Sequence, residues 1–324
     1  MKHAQLRSRR IRRIIRSYDL IARYRLSRHQ KRTIYDRVRL ALGFLEFQFL
    51  PHYFGRAPKW RIAIRKMIGR RTSPDFALIG PVKGGSSDLV SHLLLHPCVV
   101  PPLSKEIYSP DPGRWKPYYP TERQMKRVAG ASGAAVSGYL GPFLHRVRLI
   151  NAFHHANPDA KIIITLRNPV ERAYSHWKWE VLLAGKELVN KHSYFRSFSD
   201  FVELALDLFP ACPMDSVCGF PFLQTGIYHK AVELWINRFG RRNVLVFDIG
   251  SYFDDRSTVL DKVQSFLGIP RFRIPELDFR VNANPLSLPP ADEISNECLA
   301  DFYSPHNSKL WTAIDCNFGW NNQS

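Results

Sequence analysis

The stretch FALIGPVKGGSSDLVSHLLLHP, residues 76 to 97, reads as a strand, a tight loop and a helix. Phe76 to Ile79 is a short apolar run, Gly80 and Pro81 break it, and the apolar stretch Leu89 to Leu95 follows as a helix does. Gly84 and Gly85 let a ligand approach the backbone where a β-carbon would hold it off. The N–H groups that open the helix, at Ser86 and Ser87, point outward unpaired and favour an anion. This is not a Walker A loop, because Lys83 precedes both glycines instead of following them. A strand-to-helix glycine turn that holds no ligand fits the same residues.

A second segment, KIIITLRNPVERAYSHW at residues 161 to 177, carries the pattern further. Ile162 to Leu166 is a continuous apolar run, as expected of a strand covered on both faces of a parallel sheet. Arg167 stands at its carboxyl end, Pro169 suits the first turn of a helix, and Val170, Ala173, Tyr174, Trp177 and Val181 form one apolar stripe at helical spacing. Ligands gather at the carboxyl ends of parallel strands, so Arg167 and Ser175, two helical turns apart, can face one phosphate. A planar guanidinium fork and a hydroxyl suit that anion. The alternative for Arg167 is a surface ion pair.

With these two segments and KEIYSPD at residues 105 to 111, the chain resembles the sulfotransferases that use 3′-phosphoadenosine 5′-phosphosulfate, in particular the heparan-sulfate-type carbohydrate branch. The resemblance runs from about Asp75 to Trp320 and includes TGIYHKAVELWINRFGRRNVLVFDI (225 to 249) and LADFYSPHNSKLWTAIDCNFGW (299 to 320), the latter similar to a closing helix pair. It implies a three-layer α/β/α, P-loop-like fold around a central parallel sheet. It also implies that Lys83, Gly84, Gly85, Ser86 and Ser87 hold the 5′ phosphosulfate, and that Arg167 and Ser175 hold the 3′ phosphate. Sulfuryl transfer needs a base for the acceptor proton and positive charge on the departing bridge oxygen. By resemblance Glu106 is the base and Lys83 meets the leaving group, with Lys105, Asp111 and Trp115 on the acceptor side and no metal required. Glu106 as half of a loop ion pair with Lys105 is the structural alternative.

The acceptor implied is a carbohydrate hydroxyl or amine, in a polysaccharide, oligosaccharide or glycolipid. Several positions depart from the branch pattern: Tyr108, Ser109 and Pro110 replace a His and two aromatics, Ser87 stands where Arg is frequent, and Val281 to Pro290 lacks a Lys-Gly-Arg run. Three rivals follow: a sulfotransferase of small alcohols or phenols with a His base, drawn from His92, His96 and His145; a nucleotide-binding module without catalysis; and an RNA-binding protein driven by the arginine-rich start.

The 324 residues, 45% of them hydrophobic, suffice for one large α/β domain and an appendage. Through Arg71 there are 21 Lys and Arg against 3 Asp and Glu, which is nearly all of the chain's net charge of +19. The remaining 26 basic and 25 acidic residues balance, so the domain at 72 to 324 is not a nucleic-acid surface. Residues 1 to 71 read as a basic helical extension, separable from catalysis and resting on anionic lipid through its first helix, with a solvated helix packed on the domain as the alternative. Leu40 to Leu50 is too short to span a bilayer and no signal-peptide pattern is evident, so a cytoplasmic, membrane-associated protein is expected. Five cysteines without metal-type spacing are expected to be reduced, although Cys212 and Cys218 could pair.

Overall fold

A computed structural model describes residues 2–49, 57–107, 111–211, 222–277 and 283–320. Four strands, β1 (Phe76–Ile79), β2 (Gly138–Gly141), β3 (Lys161–Leu166) and β4 (Val244–Asp248), form one all-parallel sheet in the order β2-β1-β3-β4. Helices α1 (Lys2–Leu26), α2 (Ile34–Phe49) and α3 (Lys59–Met67) precede the sheet. Helix α4 (Ser86–Leu93) follows β1, and α5 (Glu122–Ser132) leads to β2. Helix α6 (Val147–Ala156) leads to β3, and α7 (Pro169–Lys191), α8 (Phe198–Asp207) and α9 (His229–Phe239) lie between β3 and β4. Helices α10 (Ile249–Asp254), α11 (Arg256–Phe266) and α12 (Glu293–Ile314) complete the chain.

The alternation of side chains along a strand explains the three layers. Leu140, Leu78, Ile163 and Leu245 lie in register across the sheet and point into one core with α4, α10 and α11. Ala77, Ile79, Ile162 and Ile164 point the other way, into a second core built with α6, α9 and α12. Burial on both faces accounts for the uninterrupted apolar runs of β1 and β3. The stripe expected on α7 forms as read: Ala173, Trp177 and Val181 are buried with Val170 and Tyr174 packed alongside, in a third core shared with α8 and α12. The expected closing helix pair is instead one long helix, α12, which continues through Pro305.

The N-terminal segment differs from the separable extension that its charge suggests. Helix α1 lies along α4 in the opposite direction, from the end of α4 back to its start. Arg10 donates from Nη1 to the carbonyls of Leu94 (2.8 Å) and His96 (3.0 Å), capping the end of α4. Ile14 is fully buried in the α4 core, and the Tyr18 hydroxyl is buried beside Ser87 and Ser91. Beyond α1, the Arg28 carbonyl accepts the Lys186 N–H at 3.2 Å, where α7 kinks at Gly185. Gly185 has φ +77° and a β-carbon there would lie 3.2 Å from the Arg28 oxygen, so glycine suits both the turn and the close approach.

This packing has a measurable consequence. Ile14→Ala removes buried methyl groups and should cost about 2–5 kcal/mol of stability, whereas Ile15→Ala, at a neighbouring position 41% exposed, should stay within about 0.5 kcal/mol. Denaturant unfolding of the full chain separates the two; equal and negligible effects would mean that α1 is not seated in the core.

Candidate active site

In this strand order, the connection leaving β1 runs toward β2 and the one leaving β3 runs toward β4, so the sheet opens a crevice between the carboxyl ends of β1 and β3. The loop after β1 enters it through a tight turn in which the Gly84 N–H donates to the Pro81 carbonyl at 3.0 Å. Lys83 takes a left-handed backbone conformation (φ 67°), uncommon for a residue with a β-carbon and typical of functional loops. Gly85 also has positive φ, and a β-carbon on it would meet Ile249 at 2.4 Å. Below the loop, the buried Asp88 carboxylate accepts from the Tyr252 hydroxyl at 3.2 Å and lies 3.3 Å from His92 Nδ1, which fixes α4 against α10.

Four cations surround Lys83: Arg25, Arg167, Lys105 and Lys178. Its Nζ lies 4.4 Å from the centre of the Trp179 indole, and the Arg25 guanidinium lies 4.0 Å from the same ring. Burial first, and then the positive neighbours, pull the Lys83 amine down to about 7. Burial also lowers Lys105 and Lys178 from the usual lysine range, and Arg25 to about 10. Such a crowd of half-desolvated cations is a site built for a multiply charged anion.

Lys105 is buried and donates from Nζ to Ser87 Oγ at 2.6 Å, while the Glu106 carboxylate lies 3.6 Å from the same amine. Glu106 is therefore next to the loop after β1, with its side chain 31% exposed. The ion pair expected as the structural alternative for Glu106 is present. Arg167 stands at the end of β3, where its carbonyl accepts the Tyr228 hydroxyl at 2.9 Å. Its side chain donates to Glu171 Oε2 from Nε (3.1 Å) and Nη2 (3.0 Å). Ser175 follows at the next turn of α7 and is half-buried, so Arg167, Glu171 and Ser175 succeed one another along one helical face.

Other expected residues lie elsewhere. Asp111 is exposed in its own turn, accepting from the Gly113 N–H at 2.8 Å with Arg114 at 3.4 Å. Trp115 does not reach an acceptor surface: it is buried against Tyr139 and Phe153, with ring centres 5.1 and 5.9 Å away. Tyr108 to Pro110, Cys212, Cys218 and Val281 lie outside the described residues. His92 and His96 are completely buried; His96 binds the Pro270 carbonyl through Nε2 and accepts the Cys98 N–H through Nδ1. His145 binds the Thr225 carbonyl, and burial lowers it to about 4. Among the described residues, no group of three or more His, Cys, Asp or Glu is arranged to hold a metal ion.

Three contributors were not singled out from sequence: Arg25, Lys178 and Trp179. Lys178 and Trp179 follow Trp177 on α7, Lys178 flanking the apolar stripe with its amine 4.3 Å from the Tyr174 ring and Trp179 on the far side of the helix. Arg25 carried no signal beyond its place in a run of arginines.

Residues 148–278 match the sulfotransferase domain family, a span that includes Arg167, Ser175 and β4. A rat carbohydrate sulfotransferase 15 is 27% identical over 195 residues, covering 53% of this chain and 33% of that protein. A human heparan sulfate glucosamine 3-O-sulfotransferase 5 is 26% identical over 234 residues, covering 71% of this chain and 62% of that protein. The chain thus spans about a third of the length of the rat relative. Among solved structures, a sulfotransferase from Alicyclobacillus acidocaldarius superposes with a TM-score of 0.53 at 23% identity, covering 77% of this chain and 99% of that one. The domain match and these relatives make the chain similar to the sulfotransferases, and the solved structure shares its fold.

Proposed function

We propose that the chain moves a sulfuryl group from 3′-phosphoadenosine 5′-phosphosulfate to a hydroxyl or amine of a carbohydrate acceptor, with Glu106 as the base. The observation that carries this reading is the meeting, in one crevice, of the Lys83 cation cluster with the Glu106 carboxylate. The residues present fit such a donor. The cation cluster calls for several negative charges, and Arg167 offers a fork two turns before Ser175. In this reading residues 72 to 324 carry the donor loop, the base and the 3′-phosphate residues, on a core that α1 completes.

Each residue then has a task. Lys83 and the N–H groups at Ser86 and Ser87 hold the 5′ side of the donor, and Arg167 turns from Glu171 toward the 3′ phosphate, joined by the Ser175 hydroxyl. The donor supplies an activated sulfuryl group. Glu106 takes the acceptor proton as the new bond to sulfur forms, and Lys83 meets the negative charge left on the bridge oxygen when its bond to sulfur breaks. Lys105, between Ser87 and Glu106, ties the donor loop to the base. Arg25 adds a cation from α1 to the same crevice. The histidine-based alternative has little support here, since His92 and His96 spend their ring nitrogens on core contacts. The match to carbohydrate-acting relatives supports a sugar acceptor.

Three tests follow. Glu106→Gln preserves shape but cannot take a proton, so transfer of labelled sulfate to a panel of glycans should fall about 100-fold or more while calorimetry finds adenosine 3′,5′-bisphosphate binding unchanged; full turnover in this variant would remove Glu106 from the chemistry. Arg167→Ala should weaken the bisphosphate by about 10- to 150-fold, the range of a charged hydrogen bond, and leave AMP affinity nearly as it was. The third test uses pH. Lys83 titrates near 7 in the free protein, and a bound polyanion must raise it, so protonated Lys83 is the form that binds best. Affinity should therefore decline as pH rises through 7 to 8, with proton uptake by Lys83 on binding at about pH 8. Calorimetry in buffers of different ionisation enthalpy reads this directly, and Lys83→Met should abolish it.

A further inference from the structure

Helix α2 has two apolar sides, and only one is covered. Leu40 and Gly43 face α1, where a β-carbon on Gly43 would touch Leu20. On the opposite side, Ile34, Val38, Leu42, Leu45 and Phe49 follow one another at helical spacing and are 52–82% exposed. The strip continues onto α3: the Phe49 and Trp60 rings lie 6.4 Å apart, and Trp60, Ile64 and Met67 are 45–86% exposed. The back of α3 is anchored, because Arg65 reaches in to the carbonyls of Pro117 and Tyr119. The strip is therefore held in place by packed elements and is not a loose end. Arg37 and Arg39 border it on either side of α2, and Lys59, Arg61 and Lys66 border it on α3, a helix without acidic residues.

We infer that the exposed apolar strip of α2 and α3 is a docking face for an anionic lipid bilayer, with Leu42, Leu45, Phe49 and Trp60 entering the interface and the flanking arginines and lysines pairing with headgroups. A large apolar patch rimmed by cations has the form of an interfacial helix face. Charge selects the occupant: a second copy of the chain would bring 21 Lys and Arg against 3 Asp and Glu to face the same surplus, and juxtaposed like charge opposes that pairing. The first helix, expected from sequence to contact lipid, turns its apolar side to the α4 core instead. Among the described residues no helix is long and apolar enough to cross a membrane, so the contact is interfacial. The inference stands apart from the catalytic reading.

Flotation of the full chain with phosphatidylcholine vesicles, with and without phosphatidylserine, tests it. Wild type should float with the anionic vesicles and about tenfold or more less with the neutral ones, since each cation near an anionic surface adds to the attraction. Leu42→Glu with Leu45→Glu should abolish flotation while the melting temperature and bisphosphate binding stay unchanged. Arg37→Gln with Arg39→Gln should lower affinity for anionic vesicles and leave the weak neutral binding as it was. Absence of wild-type flotation, equal flotation on both vesicle types, or a Leu42→Glu/Leu45→Glu chain that floats like wild type would each overturn the inference. So would light scattering that finds a dimer which the same double variant converts to monomer.

Discussion

The site depends on an unresolved excess of positive charge. Five cations meet at the carboxyl ends of β1 and β3, and the carboxylates nearest them, Glu106 and Glu171, are too few to neutralise the group. Burial prevents water from screening that charge as it does on an open surface. The fold meets the resulting cost by anchoring each cation separately. Lys83 is fixed by a left-handed backbone, Lys105 by Ser87, Arg167 by Glu171, and Arg25 by the Trp179 ring. An arriving polyanion then finds its counter-charges already in position, which lowers the ordering that binding must supply.

The same economy shows in the two ion pairs. Arg167 pairs with Glu171 and Lys105 with Glu106, and the proposed chemistry redirects Arg167 and Glu106. The Arg167 pair is partly open to water and so weak enough to exchange. The Lys105 pair is more buried, and Lys105 keeps its bond to Ser87 as well, so it acts as a brace between loop and base.

What could be read from the sequence was whatever the chain writes locally. The apolar runs of β1 and β3, the glycine turn, Pro169 at the start of α7 and the stripe from Val170 to Val181 depend on near neighbours, and all stand where the reading put them. Arg25 meets the α7 residues Lys178 and Trp179 only because α1 runs along α4 and reaches α7, a fact of packing between distant segments. Arg10 shows why the first helix misled: a run rich in arginine reads as a surface, yet this guanidinium is buried because two helix-end carbonyls receive it. Trp115 misled in the opposite sense, a motif position whose side chain the second core claimed.

The kink at Gly185 bears on how the protein can be cut. There the left-handed turn takes the Lys186 N–H out of the helical ladder and gives it to the Arg28 carbonyl. A fragment starting at Thr72 would leave that amide without its acceptor, expose the Ile14 socket and strip the end of α4 of its cap. The smallest piece with an intact core thus begins well upstream of the glycine loop, and the boundary that composition draws near Arg71 is a change in charge and not a seam in the fold.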